Sequence, residues 1–163
     1  MSTSELDPAR LARAREAFAA VPYARLLGLE LGEIGQGVVS IHLKTRDDLR
    51  QNQGVVHGGA VASLIDTAAA FAVLTQLEIN ERATTTDLTI HYLRPTNSGR
   101  LTAQARIVRG GRRLFVLSVD VTNDQQVLVA TAVTSYIKLE LNDRKSGQFL
   151  GKTPRQTTLK MQK

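Results

Sequence analysis

The chain has 163 residues, no cysteine and a formal net charge of +6. Its length fits one domain with a hydrophobic core, and the lack of cysteine excludes a disulfide framework and thiolate chemistry. No apolar run reaches the roughly 18 residues of a membrane helix without a polar interruption, and the N-terminus carries acidic residues and lacks the apolar core of a secretory signal. We therefore expect a cytoplasmic protein that does not enter a membrane.

The first elements along the chain are predicted to be a helix and a β-hairpin. Residues 4–20 predict a short helix, because Pro8 suits a first helical turn and the apolar residues after it form a one-sided stripe. Val21-Pro22 is expected to end this helix. Residues 28–34 and 38–44 have strand character, and the glycine-containing turn between them indicates a hairpin.

A long apolar helix is predicted from residue 59 to about residue 78. Apolar residues cover its whole circumference, which is typical of a buried helix. Asp66 lies in the middle of it, and an ionised carboxylate in such surroundings is costly unless something holds it. Either a partner group therefore stabilises Asp66, or the helix serves to place the Asp66 carboxylate in a crevice where it is exposed.

Four further runs have strand character, at residues 83–93, 101–108, 114–121 and 127–139. The short turns between them favour antiparallel pairing. The chain is therefore predicted to be an α+β protein, with a sheet of about six strands packed on one long central helix. A helix that is apolar on every side needs a sheet that curls around it, or a second subunit that covers its other side.

The positive charge is concentrated at the C-terminus. Residues 142–163 contain six lysine or arginine residues and one aspartate. We expect a poorly ordered tail there, with a phosphate-binding or partner-binding arm as the alternative. The predicted organisation is thus an N-terminal helical segment (1–24), one domain (25–141) and a basic tail (142–163).

The stretch from Gln51 to Asp66 resembles the signature of hot-dog-fold acyl-CoA thioesterases of the phenylacetic-acid-degradation type. The resemblance rests on Gln51, Gly54, His57-Gly58-Gly59 and Leu64-Ile65-Asp66, and on the later runs 86–95 and 111–114. It covers about residues 25–140. It implies a curled antiparallel sheet wrapped around the central helix, a homodimer joined edge to edge or a homotetramer, and hydrolysis of an acyl-CoA thioester.

The chemistry of two residues can be argued from the chain itself. Gly58 opens the central helix, so its N–H is an unpaired donor at the positive end of the helix dipole, suited to an oxyanion hole. Asp66 is a candidate nucleophile or general base. The plainer alternatives are tight packing of the loop at Gly58 and Gly59, and a carboxylate at Asp66 that is bonded to a nearby hydroxyl.

Gly58 and Asp66 cannot flank the same carbonyl within one chain. They are eight residues apart, which is roughly 12 Å along one helix at ~1.5 Å per residue. If both act, Asp66 of one chain must face Gly58 of another, as in a two-fold dimer.

The resemblance implies further roles at matching positions. It implies that the side-chain amide of Gln51, which has Asn52 as its neighbour, contacts the nucleophile or the attacking water. It also implies that the hydroxyl of Thr84 or Thr85 orients water. His57 is expected to hold the loop rather than to transfer protons. The residues expected to act in catalysis are Asp66, Gly58, Gln51, His57 and Thr85, and those expected to contact substrate are Asn52, Gly59, Thr84, Arg94, Arg112 and Arg113.

Coenzyme A would need cations near its phosphates, which Arg94, Arg112 and Arg113 are placed to supply unless they are ordinary surface charge. No GxSxG nucleophile elbow of a serine hydrolase is present. The three histidines do not predict a metal site, so we expect no metal and no cofactor beyond the coenzyme A of the substrate.

A thioester dehydratase and a non-catalytic acyl-CoA sensor remain alternatives. Nucleic-acid binding is not expected, since aromatic residues are few and no recognition motif is present.

Overall fold

A computed structural model describes residues 6–140 of the chain. The elements in order are α1 (Pro8–Ala20), α2 (Pro22–Leu27), β1 (Leu29–Gly35), β2 (Val38–Lys44), α3 (Gly58–Leu74), β3 (Glu81–Tyr92), β4 (Arg100–Gly110), β5 (Leu114–Thr122) and β6 (Leu128–Glu140). The predicted order of elements is confirmed, with α2 as an addition. The expected basic tail, 142–163, lies outside the described residues.

The helix α2 was not predicted, because Val21-Pro22 had been expected only to end α1. The chain does bend at Val21, but Pro22 occupies the first turn of a new helix, a position that suits its fixed φ. This helix ends at Gly28, whose φ of 69° is the left-handed conformation that glycine adopts readily. Ala24 and Leu27 are buried in the core, so the expected boundary between residues 24 and 25 falls inside a packed helix.

All six strands form one antiparallel sheet in the order β1-β2-β4-β5-β6-β3. The helix α3 contacts every strand of it, so the sheet curls around the helix. Inward side chains such as Ile41, Leu101 and Leu117 are fully buried against α3. The predicted α+β class and the hot-dog architecture, a curled sheet wrapped around one central helix, are confirmed.

One side of α3 is left incompletely covered by its own sheet. Ser63, Asp66, Thr67 and Ala70 are half-buried, and Gly59 at the start of the same side is exposed. Their spacing of three and four residues places them on one face of the helix. The central helix therefore presents a stripe of small and polar residues, centred on Asp66, that the rest of the described chain does not bury.

The helix α3 ends at Leu74, four residues earlier than predicted. Thr75 explains the stop, because its hydroxyl donates to the carbonyl of Ala72 at 2.7 Å and accepts the N–H of Gly37 at 2.8 Å. These bonds tie the end of the helix to the β1–β2 turn. Leu77 is nevertheless buried, which is why the apolar pattern continued past the helix in the sequence.

Two arginines of α1 cap the C-terminal end of α3. Arg10 donates to the carbonyls of Thr75 and Leu77 at 3.3 Å each, and Arg13 donates to the carbonyls of Leu74, at 3.1 Å, and Leu77. Helix C-terminal carbonyls lack partners within the helix and favour positive charge. The helix α1 thus fixes the end of the element that carries Gly58 and Asp66.

Arg13→Ala is expected to lower the free energy of unfolding by about 1–3 kcal/mol, because part-buried carbonyls lose a charged donor. Denaturant unfolding of the variant measures the loss. Arg15→Ala is the matched control, since Arg15 lies on the same helix and is exposed; equal losses in the two variants would contradict the capping role.

Candidate active site

The N-terminal end of α3 presents one free backbone donor. The His57 ring caps the helix, because its Nδ1 accepts the N–H of Gly59 at 2.8 Å. Among the described residues, no acceptor bonds the N–H of Gly58. That N–H shares a peptide unit with the His57 carbonyl, which accepts the N–H groups of Ala60 and Val61, and such chains of bonds polarise one another. Gly58 therefore offers a polarised donor where the helix dipole is positive.

Tyr92, the last residue of β3, lies over Gly58. Its hydroxyl donates to the Gly58 carbonyl at 2.9 Å, which fixes the peptide that follows Gly58. A Cβ atom at position 58 would lie 3.4 Å from the Tyr92 ring. An alanine would therefore just make contact, whereas a larger side chain would meet the ring.

A cleft of about 330 Å³ opens beside Gly58 between the loop that precedes α3 and the end of β3. Its walls are mostly apolar, formed by Val55, Val56, Val61, Leu93, Pro95 and Val129. Arg94 also lines it, with its Nη1 donating to the carbonyl of Leu128 at 2.7 Å. Apolar walls with a few convergent polar groups are typical of a small-molecule site.

Asp66 is held by hydroxyl groups from two paired strands. Its Oδ1 accepts Thr85 Oγ1 at 3.0 Å and the Tyr136 hydroxyl at 2.6 Å. Thr85 of β3 and Tyr136 of β6 are register partners, so the sheet delivers both donors to one carboxylate oxygen. The second oxygen, Oδ2, has no partner among residues 6–140 in the hydrogen bonds that the structure shows.

The phenol of Tyr136 stays a donor. Burial raises its pKa above the usual value for tyrosine, and its hydrogen bond to Asp66 adds to that shift. The phenol therefore carries its proton at neutral pH. Sequence reasoning missed this residue, although a tyrosine among the inward positions of β6, after Ala130, Ala132 and Thr134, is a signal that could have found it.

Within one chain, the Gly58 donor and the Asp66 carboxylate are separate. Gly58 lines the apolar cleft and Asp66 does not. Asp66 lies roughly 12 Å further along the helix, at ~1.5 Å per residue, on the stripe that the chain leaves half-buried. The predicted sharing of these groups between two chains stays a prediction.

The remaining loop residues lie away from both groups. Gln51 is half-buried, and its side-chain amide contacts Gln53, with Oε1 accepting the Gln53 N–H at 3.3 Å. Asn52, beside it, is exposed. The structure shows no contact of either side chain with Asp66 or Gly58 among the described residues.

The strand register separates the two candidate threonines. Thr85 points inward to Asp66, whereas Thr84 is exposed on the outer face of β3. Successive side chains of a strand alternate between faces, so only one of the two can reach the helix. The structure therefore places Thr85, and not Thr84, beside the carboxylate.

The three candidate arginines lie at two ends of the sheet. Arg94 lines the cleft beside Gly58. Arg112 and Arg113 are exposed in the turn between β4 and β5, and the adjacent Phe115 pairs with Tyr136. Arg112 and Arg113 are thus at the Asp66 end, and one chain does not gather all three arginines around one site.

Comparisons with known proteins agree on one family. The family model described as the thioesterase superfamily matches residues 53–130. The medium/long-chain acyl-CoA thioesterase YigI of Escherichia coli K12 is 29% identical over 132 residues, covering 72% of this chain and 85% of that protein. The solved structure of E. coli PaaI, from the phenylacetic acid degradation operon, aligns with a TM-score of 0.78 and 25% identity over 85% of this chain and 99% of that one. The conserved protein PA5202 of Pseudomonas aeruginosa aligns with a TM-score of 0.72 and 31% identity over 77% and 99%.

The chain belongs to the thioesterase superfamily. It is therefore an enzyme that hydrolyses thioesters, and the predicted family and enzyme class are confirmed. The segment matched to the superfamily contains Gly58, Asp66 and Thr85, and it ends before Tyr136. None of the helices between residues 6 and 140 of this thioesterase combines the length and the apolar character that a membrane span requires. No group of three or more histidine, cysteine, aspartate or glutamate residues that could hold a metal ion occurs between residues 6 and 140.

Proposed function

We propose that this thioesterase hydrolyses an acyl-CoA or aryl-acyl-CoA to the free acid and coenzyme A, at a site shared by two chains. Gly58 of one chain supplies the oxyanion donor, and Asp66 of the other supplies the nucleophile or general base. The observation that carries the proposal is the unpaired, polarised N–H of Gly58 at the mouth of an apolar cleft. The names of the relatives, an acyl-CoA thioesterase among them, support this choice of substrate.

The Gly58 N–H acts on the thioester carbonyl. As a nucleophile adds, negative charge develops on the carbonyl oxygen, and a donor fixed at that place stabilises the transition state more than the ground state. One such donor typically contributes about 10²–10³ in rate. The apolar cleft beside Gly58 accepts a flexible and mostly apolar chain next to that carbonyl.

Asp66 acts through its free oxygen, Oδ2. In the general-base route, Oδ2 takes a proton from water while the water oxygen bonds to the carbonyl carbon; the C–S bond then breaks, and the proton passes to the sulfur of coenzyme A. In the nucleophilic route, Oδ2 itself bonds to the carbonyl carbon, the C–S bond breaks and coenzyme A leaves as the thiolate. Water then hydrolyses the resulting anhydride, and a proton from that water passes to the sulfur of coenzyme A. Both routes are consistent with a carboxylate that has one oxygen held and one oxygen open.

The edge strand β3 is the proposed interface between the two chains. An exposed edge strand offers unpaired backbone groups to another chain. The edge at β1 is short and irregular between Leu31 and Ile34, where Ser40 Oγ accepts the Glu33 N–H. The edge at β3 runs for 12 residues, and its inward Leu88 and Ile90 are only half-buried. A homodimer joined at β3, alone or paired into a homotetramer, would cover the half-buried stripe of α3.

Substrate-binding roles follow from the same two-fold arrangement. Because Arg94 lies at the Gly58 end and Arg112 and Arg113 lie at the Asp66 end, one shared site would combine Arg94 of one chain with the other two arginines of its partner. We assign these cations to the phosphates of coenzyme A. Gln51 is proposed to direct its amide at the attacking water once the partner chain is in place, with His57 holding the loop.

A panel of acyl-CoA thioesters tests the proposed reaction. It should include graded straight chains and aryl-acyl groups, with a thiol reagent that reports free coenzyme A. Release of coenzyme A with at least one member, abolished in Asp66→Asn, is the expected result. Binding of panel members without release would contradict hydrolysis and favour an acyl-CoA sensor on the same fold.

A further inference from the structure

We propose that Tyr136 is a positioning residue of this site, whose hydroxyl holds Asp66 so that only Oδ2 of its carboxylate is presented to the thioester. This inference rests on the proposed function, because it assumes that Asp66 reacts. It adds a residue beyond the segment, 53–130, that is matched to the superfamily.

The geometry of the contact fixes the whole aspartate and not only its tip. The Tyr136 hydroxyl lies 2.6 Å from Asp66 Oδ1 and 2.9 Å from the main-chain carbonyl oxygen of the same residue. A hydroxyl that lies against both the carboxylate and the backbone carbonyl of one residue restricts the rotation of the side chain between them. The rotamer of Asp66 is therefore set by Tyr136.

Thr85 completes the arrangement on the same carboxylate oxygen. Its hydroxyl reaches Oδ1 at 3.0 Å, and it is the register partner of Tyr136 across β3 and β6. Two donors on one oxygen satisfy that oxygen and make it a poorer nucleophile and base. The asymmetry leaves Oδ2 as the reacting atom in either proposed route.

The hydroxyl of Tyr136 is not needed to fill space. The side chain is 2% exposed in the core, where phenylalanine would occupy nearly the same volume. A buried hydroxyl is costly unless it is bonded, and this one bonds the carboxylate and the backbone carbonyl of Asp66. The hydroxyl is therefore explained by the carboxylate that it holds, and its pKa, raised by burial, keeps it a donor.

Tyr136→Phe tests the proposal with the best acyl-CoA of the panel as substrate. We expect kcat to fall by about tenfold or more, since one hydrogen bond to a charged group is lost, while KM stays within about twofold and the melting temperature stays close to wild type. A loss confined to kcat indicates that a transition-state interaction, and not substrate binding or folding, has been removed.

Tyr23→Phe is the matched control. The Tyr23 hydroxyl, from α2, bonds Ser63 Oγ at 2.9 Å, so Tyr23→Phe removes a tyrosine hydroxyl that contacts α3 at Ser63, three residues before Asp66. We expect this variant to keep the wild-type kcat. An equal fall in both variants would show a general loosening of α3 and would overturn the proposal, as would failure of Tyr136→Phe to fold.

Asp66→Asn, measured alongside, separates this inference from the proposed function. If Asp66→Asn is inactive and Tyr136→Phe keeps kcat within about twofold, the positioning role is wrong and the proposed function stands. If Asp66→Asn itself keeps near-normal turnover, the role of Asp66 is wrong and the inference about Tyr136 is wrong with it.

Discussion

Asp66→Asn is expected to lower kcat by at least about 10²-fold, because the variant has no carboxylate to attack the thioester or to take a proton from water. The fold should be retained. Asparagine keeps an oxygen that can accept the hydrogen bonds of Thr85 and Tyr136, and removal of a half-buried charge carries no large penalty. Steady-state turnover and thermal unfolding, measured on the same preparation, separate loss of chemistry from loss of structure.

Asp48→Asn is the matched control for this change. Asp48 is exposed and forms a long surface ion pair, at 3.6 Å, with Arg46, and such pairs contribute little. Turnover of this variant should equal that of the wild type. Near-normal turnover of Asp66→Asn on every active substrate would remove Asp66 from the mechanism.

Gly58→Pro is expected to lower kcat by about 10²–10³-fold, because it deletes the one N–H assigned to the oxyanion. The backbone should tolerate proline there. Position 58 is the first residue of α3, where proline is favoured, and His57 before it has the extended conformation, with ψ of 134°, that a following proline requires. The helix should therefore remain while its donor is lost.

Gly58→Ala is the control for the added atoms. Its Cβ would make ordinary contact with Tyr92 at 3.4 Å, and its N–H remains. We expect Gly58→Ala to keep most of the activity that Gly58→Pro loses. Equal and severe losses would mean that access of the substrate, and not the N–H, explains the effect of substitution at this position.

Most of the fold was predictable from the sequence because its signals are local. Alternating apolar residues and glycine-containing turns mark the strands, and the long, mostly apolar segment after Gly58 marks the central helix. The two expectations that were wrong, on α2 and on the end of α3, concern features that depend on contacts with distant parts of the chain. Pro22 can end one helix or begin another, and only the burial of Ala24 and Leu27 shows that α2 packs. The end of α3 depends on contacts made by Arg10 and Arg13, about sixty residues away in the chain.

In the candidate site, too, some features follow from local sequence signals and others depend on distant parts of the chain. The spacing of Gly58 and Asp66 on one helix is local, so the sequence could indicate both residues and their separation. The choice between Thr84 and Thr85, and the presence of Tyr136, depend on how β3 faces the helix and how it pairs with β6. That pairing contains an irregularity between Thr85 and Asp87, which no short-range pattern reports. The local separation of Gly58 and Asp66 indicates that a second chain is needed if both act, but the contacts of that proposed partner chain have no local signal in the sequence.

The site shared between two chains is the central proposal, and complementation tests it most directly. Asp66→Asn chains and Gly58→Pro chains are purified separately, mixed in equal amounts after mild dissociation, and allowed to reassemble. Each parent assembly should be nearly inactive. In a mixed dimer, one site receives both substitutions and the other receives neither, so random mixing should restore about a quarter of wild-type activity. No recovery, with mixed dimers demonstrated by native mass measurement, would contradict the shared site.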